Sequence, residues 1–342
     1  MKISDPLNEE QLAQLLNRKP FIAKSKNSGF KNKTVLVTGA GGTIGHALSI
    51  EIFKNNAKAL ILVEHSEYAL YKLYESLIGL KKISNNISTI IIPRLASVLD
   101  EKEMFYIFNK FKPEIIYHAA AYKHVHMVEI NSRVGVRNNV LGTYVTAKLA
   151  NDFGANKYVL ISSDKAIKPV SKMGYSKLLS ENIISDLAGR SKTKFCIVRF
   201  GNILGSSGSV LPKLINQLRA KVPMTISSPK SKRYFMLKSE AIHLLMQIIN
   251  MSDMNGTIYC FDMGKPIYIL DLAKKLQGLF MGYIDEPEIE FTELEPYKKI
   301  SEASILTKNA QRTANPKIYK IQPKKLSIKS IEKILLAIDS LN

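Results

Sequence analysis

Short apolar runs and longer helical patterns alternate along the first part of the chain. Six runs rich in β-branched residues cover 33–39, 58–64, 88–94, 113–119, 157–163 and 195–201. Segments of 10–20 residues with helical periodicity separate these runs. The runs lack in/out alternation, which is typical of strands buried on both faces, and helical crossovers make neighbouring strands parallel. The pattern therefore predicts an α/β fold with a doubly wound parallel sheet.

The rhythm changes after Gly201, where Gly, Ser and Pro interrupt "GNILGSSGSVLP" and shorter mixed elements follow. Helices are predicted near 238–250 and 269–280, and a Lys-rich helix over 327–340. We therefore predict three parts. They are an N-terminal arm (1–32), a nucleotide-binding domain (33–201) and a mainly substrate-binding region that ends in the C-terminal helix (202–342).

The composition is that of an ordinary globular protein, with 46% hydrophobic and 23% charged residues. No uncharged apolar run approaches the roughly 18–20 residues that span a bilayer, and "MKISDPLNEEQ" lacks the apolar core of a secretory signal. Cys196 and Cys260 have no metal-ligand spacing, and we expect small core residues rather than a disulfide. These features favour a cytoplasmic protein without a transmembrane segment or a metal site.

The formal net charge of +20 is large for this length. The excess is mostly lysine scattered along the chain, without an Arg-rich or aromatic-interleaved patch, and it does not favour a nucleic-acid partner. Residues 301–342 carry eight Lys/Arg against three Asp/Glu. Attraction to anionic small molecules, or peripheral association with an anionic membrane face, explains the charge at least as well.

A glycine-rich turn follows the first predicted strand. "VTGAGGTIG" places Gly39, Gly42 and Gly45 between that strand and a helix, where glycines let the backbone approach a pyrophosphate. Glu64 ends the second strand 19 residues after Gly45, where a carboxylate accepts hydrogen bonds from the adenosine ribose. A carboxylate there repels a 2′-phosphate, so we predict NAD rather than NADP. The alternative is an ordinary turn followed by a strand-end glutamate.

A second polar stretch, "SSDKAIKPVSKMGYSK" (162–177), follows the fifth strand. Its adjacent Asp164 and Lys165 can divide acid and base roles if burial and mutual attraction tune their pKa values, although such a pair is more often a solvated turn. Met173, on the following helix, has no titratable proton. Tyr175 lies about 200° around the helix axis from Met173, and we predict that it packs rather than catalyses.

These motifs, with "HAAAYKHV", "NNVLGT", "RFGNILGSSGSVLP" and "KRYFM", resemble the extended short-chain dehydrogenases. The resemblance is closest to the bacterial polysaccharide-biosynthesis branch that contains the UDP-N-acetylglucosamine 4,6-dehydratases. It runs over 33–275, and "RTANPKIYKI" extends it toward the C-terminus. "LLNRKP" (15–20) resembles the linker that joins the catalytic part of large members to membrane-spanning helices. The resemblance implies a Rossmann fold, a tightly bound and recycled cofactor, a UDP-sugar substrate and a homo-oligomer.

The resemblance also implies site residues. Cofactor contacts fall on the three glycines and Glu64, and further on Thr43, Ile44, Ala119, Ala120, Lys123 and Lys177. In the superfamily a tyrosine four residues before the ribose-binding Lys177 takes the substrate proton. Met173 stands there instead, a variant known in this branch. Lys165 is then the candidate for the C5 proton and Asp164 for the 6-hydroxyl, with Ser163 beside them.

Substrate contacts implied by the resemblance fall on Asn202, Val210 and Arg233. The chain departs from the family where an "R-P-G-E-K" segment near the diphosphate becomes "EPYKK" (295–299), with Lys298 and Lys299 available to compensate. His126 is a milder departure, at a position where the family commonly has proline.

The expected function is therefore an NAD(P)-dependent nucleotide-sugar 4,6-dehydratase, acting on UDP-N-acetylglucosamine for surface glycan synthesis. Two alternatives remain open. One is a UDP-sugar 4-epimerase or C4 reductase on the same fold, and the other is a catalytically silent nucleotide-sugar-binding protein.

Overall fold

The computed structural model describes residues 7–21, 28–84, 88–280 and 288–323. The Lys-rich helix predicted over 327–340 lies outside these residues. Within them, none of the helices combines the length and the apolar character needed to span a bilayer.

The described chain alternates strands and helices. The helices are α1 (Glu9–Leu16), α2 (Thr43–Lys54), α3 (Glu67–Ile83), α4 (Glu101–Phe111), α5 (Val125–Ile130), α6 (Ser132–Asp152), α7 (Lys172–Ala188), α8 (Val210–Arg219), α9 (Lys238–Ile248) and α10 (Ile269–Leu279). The strands are β1 (Thr34–Thr38), β2 (Ala59–Glu64), β3 (Ile90–Leu95), β4 (Ile115–His118), β5 (Lys157–Ile161), β6 (Lys194–Arg199), β7 (Asn202–Ile203), β8 (Met224–Ile226), β9 (Lys232–Arg233), β10 (Phe235–Met236), β11 (Ile258–Phe261), β12 (Ile267–Tyr268), β13 (Ile289–Phe291), β14 (Gln311–Arg312) and β15 (Ile318–Ile321).

Nine strands form the main sheet in the order β14-β15-β11-β6-β5-β4-β1-β2-β3. All neighbours from β3 through β11 pair in parallel, and β15 and β14 add an antiparallel edge. The six predicted strands are β1 to β6, so the doubly wound parallel sheet is confirmed. The strand order reverses between β1 and β4, and in such sheets ligands bind outside the carboxyl ends of the strands at this point.

The central strands are buried on both faces, as their unbroken apolar runs predict. Every residue of β2 and β4 is buried. The prediction is wrong for β3, where Ile90 is 56% and Leu95 57% exposed. β3 lies at the edge of the sheet, so it has one neighbouring strand and incomplete cover. An edge strand also tolerates Pro93, which has no N–H to donate.

The two cysteines are free and buried. Cys196 lies in β6 and Cys260 in the neighbouring β11, and both are fully shielded from solvent. The prediction that they are small core residues is confirmed.

A second apolar core forms between α1, α8 and α10, with Leu15, Leu214 and Leu276 among its buried residues. The N-terminal stretch is also held to α9 by an ion pair between Arg18 and the buried Glu240. The "LLNRKP" stretch is therefore packed against the region after residue 201. The predicted domain boundary at residue 201 stays a prediction. Strands β11, β14 and β15 follow this boundary in sequence but belong to the main sheet.

Candidate active site

The carboxyl ends of β1, β4, β5 and β6 surround a cavity of about 460 Å³. Most of the predicted site residues line it, namely Gly39, Gly42, Thr43, Ile44, Gly45, Ala119, Lys123, Ser163, Lys165, Met173, Lys177 and Asn202. A neighbouring cavity of about 330 Å³ is lined by Gly39, Gly42, Glu64, Ala119 and Ala120. The two cavities share Gly39, Gly42 and Ala119, so they lie next to each other at the glycine turn.

The glycine turn admits no side chain at its two closest approaches. Gly39 has φ +62°, and a Cβ there would lie 2.7 Å from the backbone of Ala120. A Cβ on Gly45 would lie 2.1 Å from the Gly39 carbonyl oxygen. Helix α2 begins directly after this turn, without a side-chain cap at Gly42. Its first N–H groups therefore remain available for an anion such as a pyrophosphate.

Glu64 fixes the turn from the end of β2. Its buried carboxylate accepts hydrogen bonds from the backbone N–H groups of Gly41 at 2.9 Å, and of His65 and Ser66 at 3.0 Å each. The carboxylate lines the second cavity as well. The predicted contact between Glu64 and the adenosine ribose stays a prediction. The observed hydrogen bonds show that Glu64 also orders the glycine turn.

Lys177 and Met173 lie one helical turn apart on α7, and both line the main cavity. The Lys177 Nζ donates to the Ile161 carbonyl oxygen at 2.7 Å. Burial lowers the pKa of Lys177 to about 8, although the nearby Glu181 carboxylate opposes the shift. Met173 is 3% exposed, so it supplies a flexible apolar wall where a phenol would otherwise stand.

Tyr175 does not enter the core. Its side chain is 53% exposed and does not line the main cavity. The packing predicted for it is wrong, because α7 turns this position toward solvent.

Asp164 and Lys165 form a short 3-10 turn after β5, capped by the Ser163 hydroxyl. The Asp164 Oδ1 accepts hydrogen bonds from the Ser163 Oγ at 2.8 Å and the Lys165 Nζ at 3.0 Å. Asp164 is fully buried and does not line the main cavity, whereas Lys165 does. The carboxylate therefore acts on the cavity through the ammonium group of Lys165.

The protonation state of Lys165 is set by opposing effects. Burial lowers its pKa, but the negative charges of Asp164 and Glu302 outweigh burial and raise the pKa above its ordinary value. Lys165 is accordingly an ammonium at neutral pH. Its Nζ also donates to the Asn202 Oδ1 at 3.3 Å, which holds the predicted substrate contact in the cavity wall.

Lys123 reaches across the cavity and donates from its Nζ to the Ser207 carbonyl oxygen at 2.9 Å. Burial, and then the charge of Lys165, lower its pKa. The Thr43 Oγ1 lies 3.3 Å from the Ser207 hydroxyl, so the loop around Ser207 bridges the glycine turn and Lys123. Sequence reasoning missed Ser207 because its neighbours are all small polar residues. Val210 packs against the second core and lines neither cavity.

Arg233 is held by the segment that departs from the family pattern. Its guanidinium donates to the carbonyl oxygens of Ile300 at 2.9 Å and Lys299 at 2.8 Å. Together with Lys165, Arg233 lines a smaller cavity of about 140 Å³ beside the main one. Glu295 is ion-paired with Lys298, so the reversed charge at Glu295 is neutralised within its own segment.

Two of the departures from the family pattern, His126 and Tyr297, contact each other. The His126 Nδ1 and the Tyr297 hydroxyl are 2.7 Å apart. The contact ties α5 to the segment that holds Arg233. No motif in the sequence pointed to this pair, because 171 residues separate the two positions.

Glu302 is the clearest site residue that sequence reasoning missed. It is 7% exposed, lines the smaller cavity and lies 3.6 Å from the Lys165 Nζ. Its only signal in the sequence was a lone carboxylate shortly after two lysines.

Comparison with known proteins places this site in a family. A family model described as "Polysaccharide biosynthesis protein" matches residues 35–323. The probable polysaccharide biosynthesis protein EpsC of Bacillus subtilis is 38% identical over 317 residues, covering 92% of this chain and 52% of EpsC. The capsular polysaccharide biosynthesis protein CapD of Staphylococcus aureus is 40% identical over 306 residues, covering 89% of this chain and 50% of CapD. The chain thus spans about half the length of these relatives.

Solved structures share the fold. Pen from Bacillus thuringiensis is 25% identical with a TM-score of 0.77, over 92% of this chain and 99% of Pen. A dTDP-glucose 4,6-dehydratase from Streptomyces venezuelae, solved with NAD, is 16% identical with a TM-score of 0.67, over 79% of this chain and 87% of that one. A UDP-glucose 4-epimerase from Thermotoga maritima, solved with UDP-glucose, is 18% identical with a TM-score of 0.63, over 77% and 87%. The chain belongs to the polysaccharide biosynthesis protein family, on an extended short-chain dehydrogenase fold.

Proposed function

We propose that the protein is an NAD-dependent nucleotide-sugar 4,6-dehydratase that acts on UDP-N-acetylglucosamine for surface polysaccharide synthesis. The observation that carries the proposal is the Lys165 ammonium in the cavity wall, backed by the buried Asp164 carboxylate, with Met173 where a phenol would stand. Elimination of water needs a base for the C5 proton and an acid for the leaving 6-hydroxyl. This pair supplies both functions beside the cofactor cavity.

The residues around the glycine turn fit a dinucleotide. The approach at Gly39 leaves no room for a side chain, and Lys177 offers a donor on the cavity side of α7. NAD held by the glycine turn and Lys177 would supply hydride-transfer chemistry in which the cofactor ends as it began, so no net NADH would accumulate. The protein then has to hold the sugar, exclude water and move protons.

Lys165 performs the proton transfer at C5 in this proposal. The neutral amine takes the C5 proton, and the Asp164 carboxylate stabilises the ammonium that forms. Because the Lys165 pKa is raised, little neutral amine is present at neutral pH, and turnover should increase from neutral to alkaline pH as the amine fraction grows. The 6-hydroxyl then leaves as water with the proton taken from C5, passed on by the Lys165 ammonium, and Asp164 assists this departure through its hydrogen bonds to Ser163 and Lys165.

Glu64 supports a preference for NAD over NADP. Its buried charge lines the cavity where the adenosine ribose is expected, and a 2′-phosphate there meets repulsion. Titration of both cofactors tests this preference. Binding of NADP about tenfold tighter than NAD, which corresponds to about 1.4 kcal/mol, would contradict the role of Glu64.

A homo-oligomer in the cytoplasm, with possible peripheral contact to an anionic membrane, completes the proposal. Exposed apolar side chains on α5 and α6 support self-association, with Met127 51%, Ile130 63% and Val134 58% exposed. Light scattering of the purified protein tests this part. A monomer at micromolar concentration contradicts it.

The second candidate is a 4-epimerase, favoured by the fold shared with the UDP-glucose 4-epimerase. Turnover of several UDP- and GDP-sugars in deuterated water separates the candidates. A dehydratase gives a product that has lost one water and carries deuterium at C5. An epimerase gives a product of unchanged mass without C5 deuterium. Absence of turnover with every sugar would indicate a silent nucleotide-sugar-binding protein.

A further inference from the structure

Glu302 is a buried carboxylate surrounded by cations. Its Oε1 lies 3.6 Å from the Lys165 Nζ and 3.9 Å from the Arg233 Nε, and its Oε2 lies 3.7 Å from the Lys299 Nζ. Among the described residues, no donor makes a hydrogen bond to the buried Oε2. A buried carboxylate is costly unless its charge is compensated, so these three cations account for its presence.

Arg233 and Lys299 have other acceptors. The Arg233 guanidinium donates to backbone carbonyl oxygens, and the Lys299 Nζ donates to the Ile167 carbonyl oxygen at 2.9 Å. These contacts keep both side chains in place independently of Glu302. Among the described residues, Lys165 differs from these two cations because its Nζ donates only to side chains, those of Asp164 and Asn202.

Resting on the function proposed above, we propose that Glu302 is a positioning residue that holds the Lys165 Nζ at the cavity wall and stabilises its ammonium form. In the elimination step the C5–H bond breaks and its electron pair delocalises toward the C4 carbonyl. The proton bonds to the Lys165 Nζ and leaves with the 6-hydroxyl as water when the C6–O bond breaks, and a solvent proton later reaches C5 through the same Nζ. Glu302 neither gains nor loses a proton, and its charge matters because positive charge develops on Nζ.

The charged groups that face Lys165 set the direction of the effect. Among the described residues these are Asp164, Glu302, Arg233 and Lys123. Removing the negative charge of Glu302 leaves the positive charges of Arg233 and Lys299 near Lys165 without the carboxylate that offsets them. Loss of an attraction and exposure to a repulsion both lower the pKa of Lys165.

The direct test is a titration of Lys165 by NMR in protein labelled with ε-13C lysine, with its signal assigned by its loss in Lys165→Met. In Glu302→Gln the midpoint should fall by about one pH unit or more. Glu302→Asp, which keeps the charge on a shorter side chain, should give a smaller fall. Glu293→Gln removes an exposed carboxylate of the same segment and should leave the midpoint unchanged.

Kinetics give the second test. In Glu302→Gln, kcat at its plateau should fall by about tenfold or more, as for the loss of a proton-transfer contribution, while the KM for the sugar changes by less than about threefold. The rising limb of the pH profile should move to lower pH, and Glu302→Asp should partly restore the wild-type profile.

The midpoint of the Lys165 titration tests the role of Glu302 whatever sugar the protein turns over. A Glu302→Gln midpoint equal to that of wild type overturns it, even if kcat has fallen, because Glu302 would then only hold its segment. If Glu302→Gln does not fold, a Glu302→Asp midpoint equal to wild type overturns it equally. A lowered midpoint in a protein that releases no water supports the Lys165–Glu302 coupling and overturns the proposed dehydratase.

Discussion

The burial of Lys177 makes a quantitative prediction about stability. The pKa of Lys177 is lowered from 10.5 to about 8 because its Nζ lies in the protein interior. Between these values the unfolded chain binds the proton and the folded chain does not, so the free energy of unfolding rises with pH. A gap of about 2.5 pH units is worth about 3 kcal/mol. Below pH 8 the folded protein carries this cost in full.

The substitution that isolates this effect is Lys177→Met, which keeps the length of the side chain and removes its charge. Urea denaturation of both proteins at intervals from pH 7.5 to 10.5 measures the two free energies of unfolding. The wild-type value minus the variant value should rise by about 3 kcal/mol across this window. The control is Lys172→Met, which changes an exposed lysine at the start of the same helix. Its pH dependence should follow that of wild type.

One result would refute the reasoning. If wild type and Lys177→Met run parallel from pH 8 to 10.5, the ammonium is not destabilised by its surroundings. The hydrogen bond to the Ile161 carbonyl oxygen would then compensate burial completely. Lys177 would then keep its charge up to about pH 10.5 instead of losing it above about pH 8.

Three further predictions concern the site. Met173→Leu should keep turnover within about threefold, since the side-chain volume is nearly conserved. Lys177→Ala should remove nearly all turnover and weaken NAD binding in a calorimetric titration. If both variants lose turnover equally, the thioether of Met173 has a role of its own. Gly39→Ala should abolish NAD binding and cost about 1–3 kcal/mol of stability, because its φ is +62° and its Cβ would meet backbone at 2.7 Å; unchanged NAD affinity would contradict the tight turn. Tyr297→Phe removes the hydroxyl that contacts His126 and should raise the KM for the sugar with little change in kcat; an unchanged KM would make the contact structural only.

The fold could be predicted because its signals are local. Each of the strands β1 to β6 is a β-branched run, and glycine at position 39 marks the turn that only a positive φ permits. The exposure of β3 could not be predicted, because it depends on the order of strands in the sheet. The same holds for α1, whose burial against α10 depends on residues more than 250 positions away.

The candidate site was predictable in part for a similar reason. Met173 and Lys177 share one face of a helix because they are four residues apart, and that spacing is visible in the sequence. The burial of Asp164 behind Lys165 was not visible, nor was the approach of Glu302 from 137 residues further along. Contacts of this kind are set by packing between distant segments.

The tuning of the two cavity lysines explains how the site can work without a phenol at position 173. Lys177 is buried near a single carboxylate, Glu181, and its pKa is lowered to about 8. Lys165 is partly buried as well, but Asp164 and Glu302 reverse the effect and raise its pKa. The two lysines therefore have different pKa values although they are the same chemical group. Such a difference between neighbouring groups is the usual basis of separate acid and base roles in an active site. Lys177 remains mostly an ammonium at neutral pH and loses its proton above about pH 8, and in the proposed site it donates to a cofactor hydroxyl. In the proposed reaction, the raised pKa of Lys165 favours its acceptance of a proton from carbon. In the proposed reaction the environment of Lys165 supplies the driving force for proton transfer, so the thioether of Met173 needs only to shape the wall of the cavity.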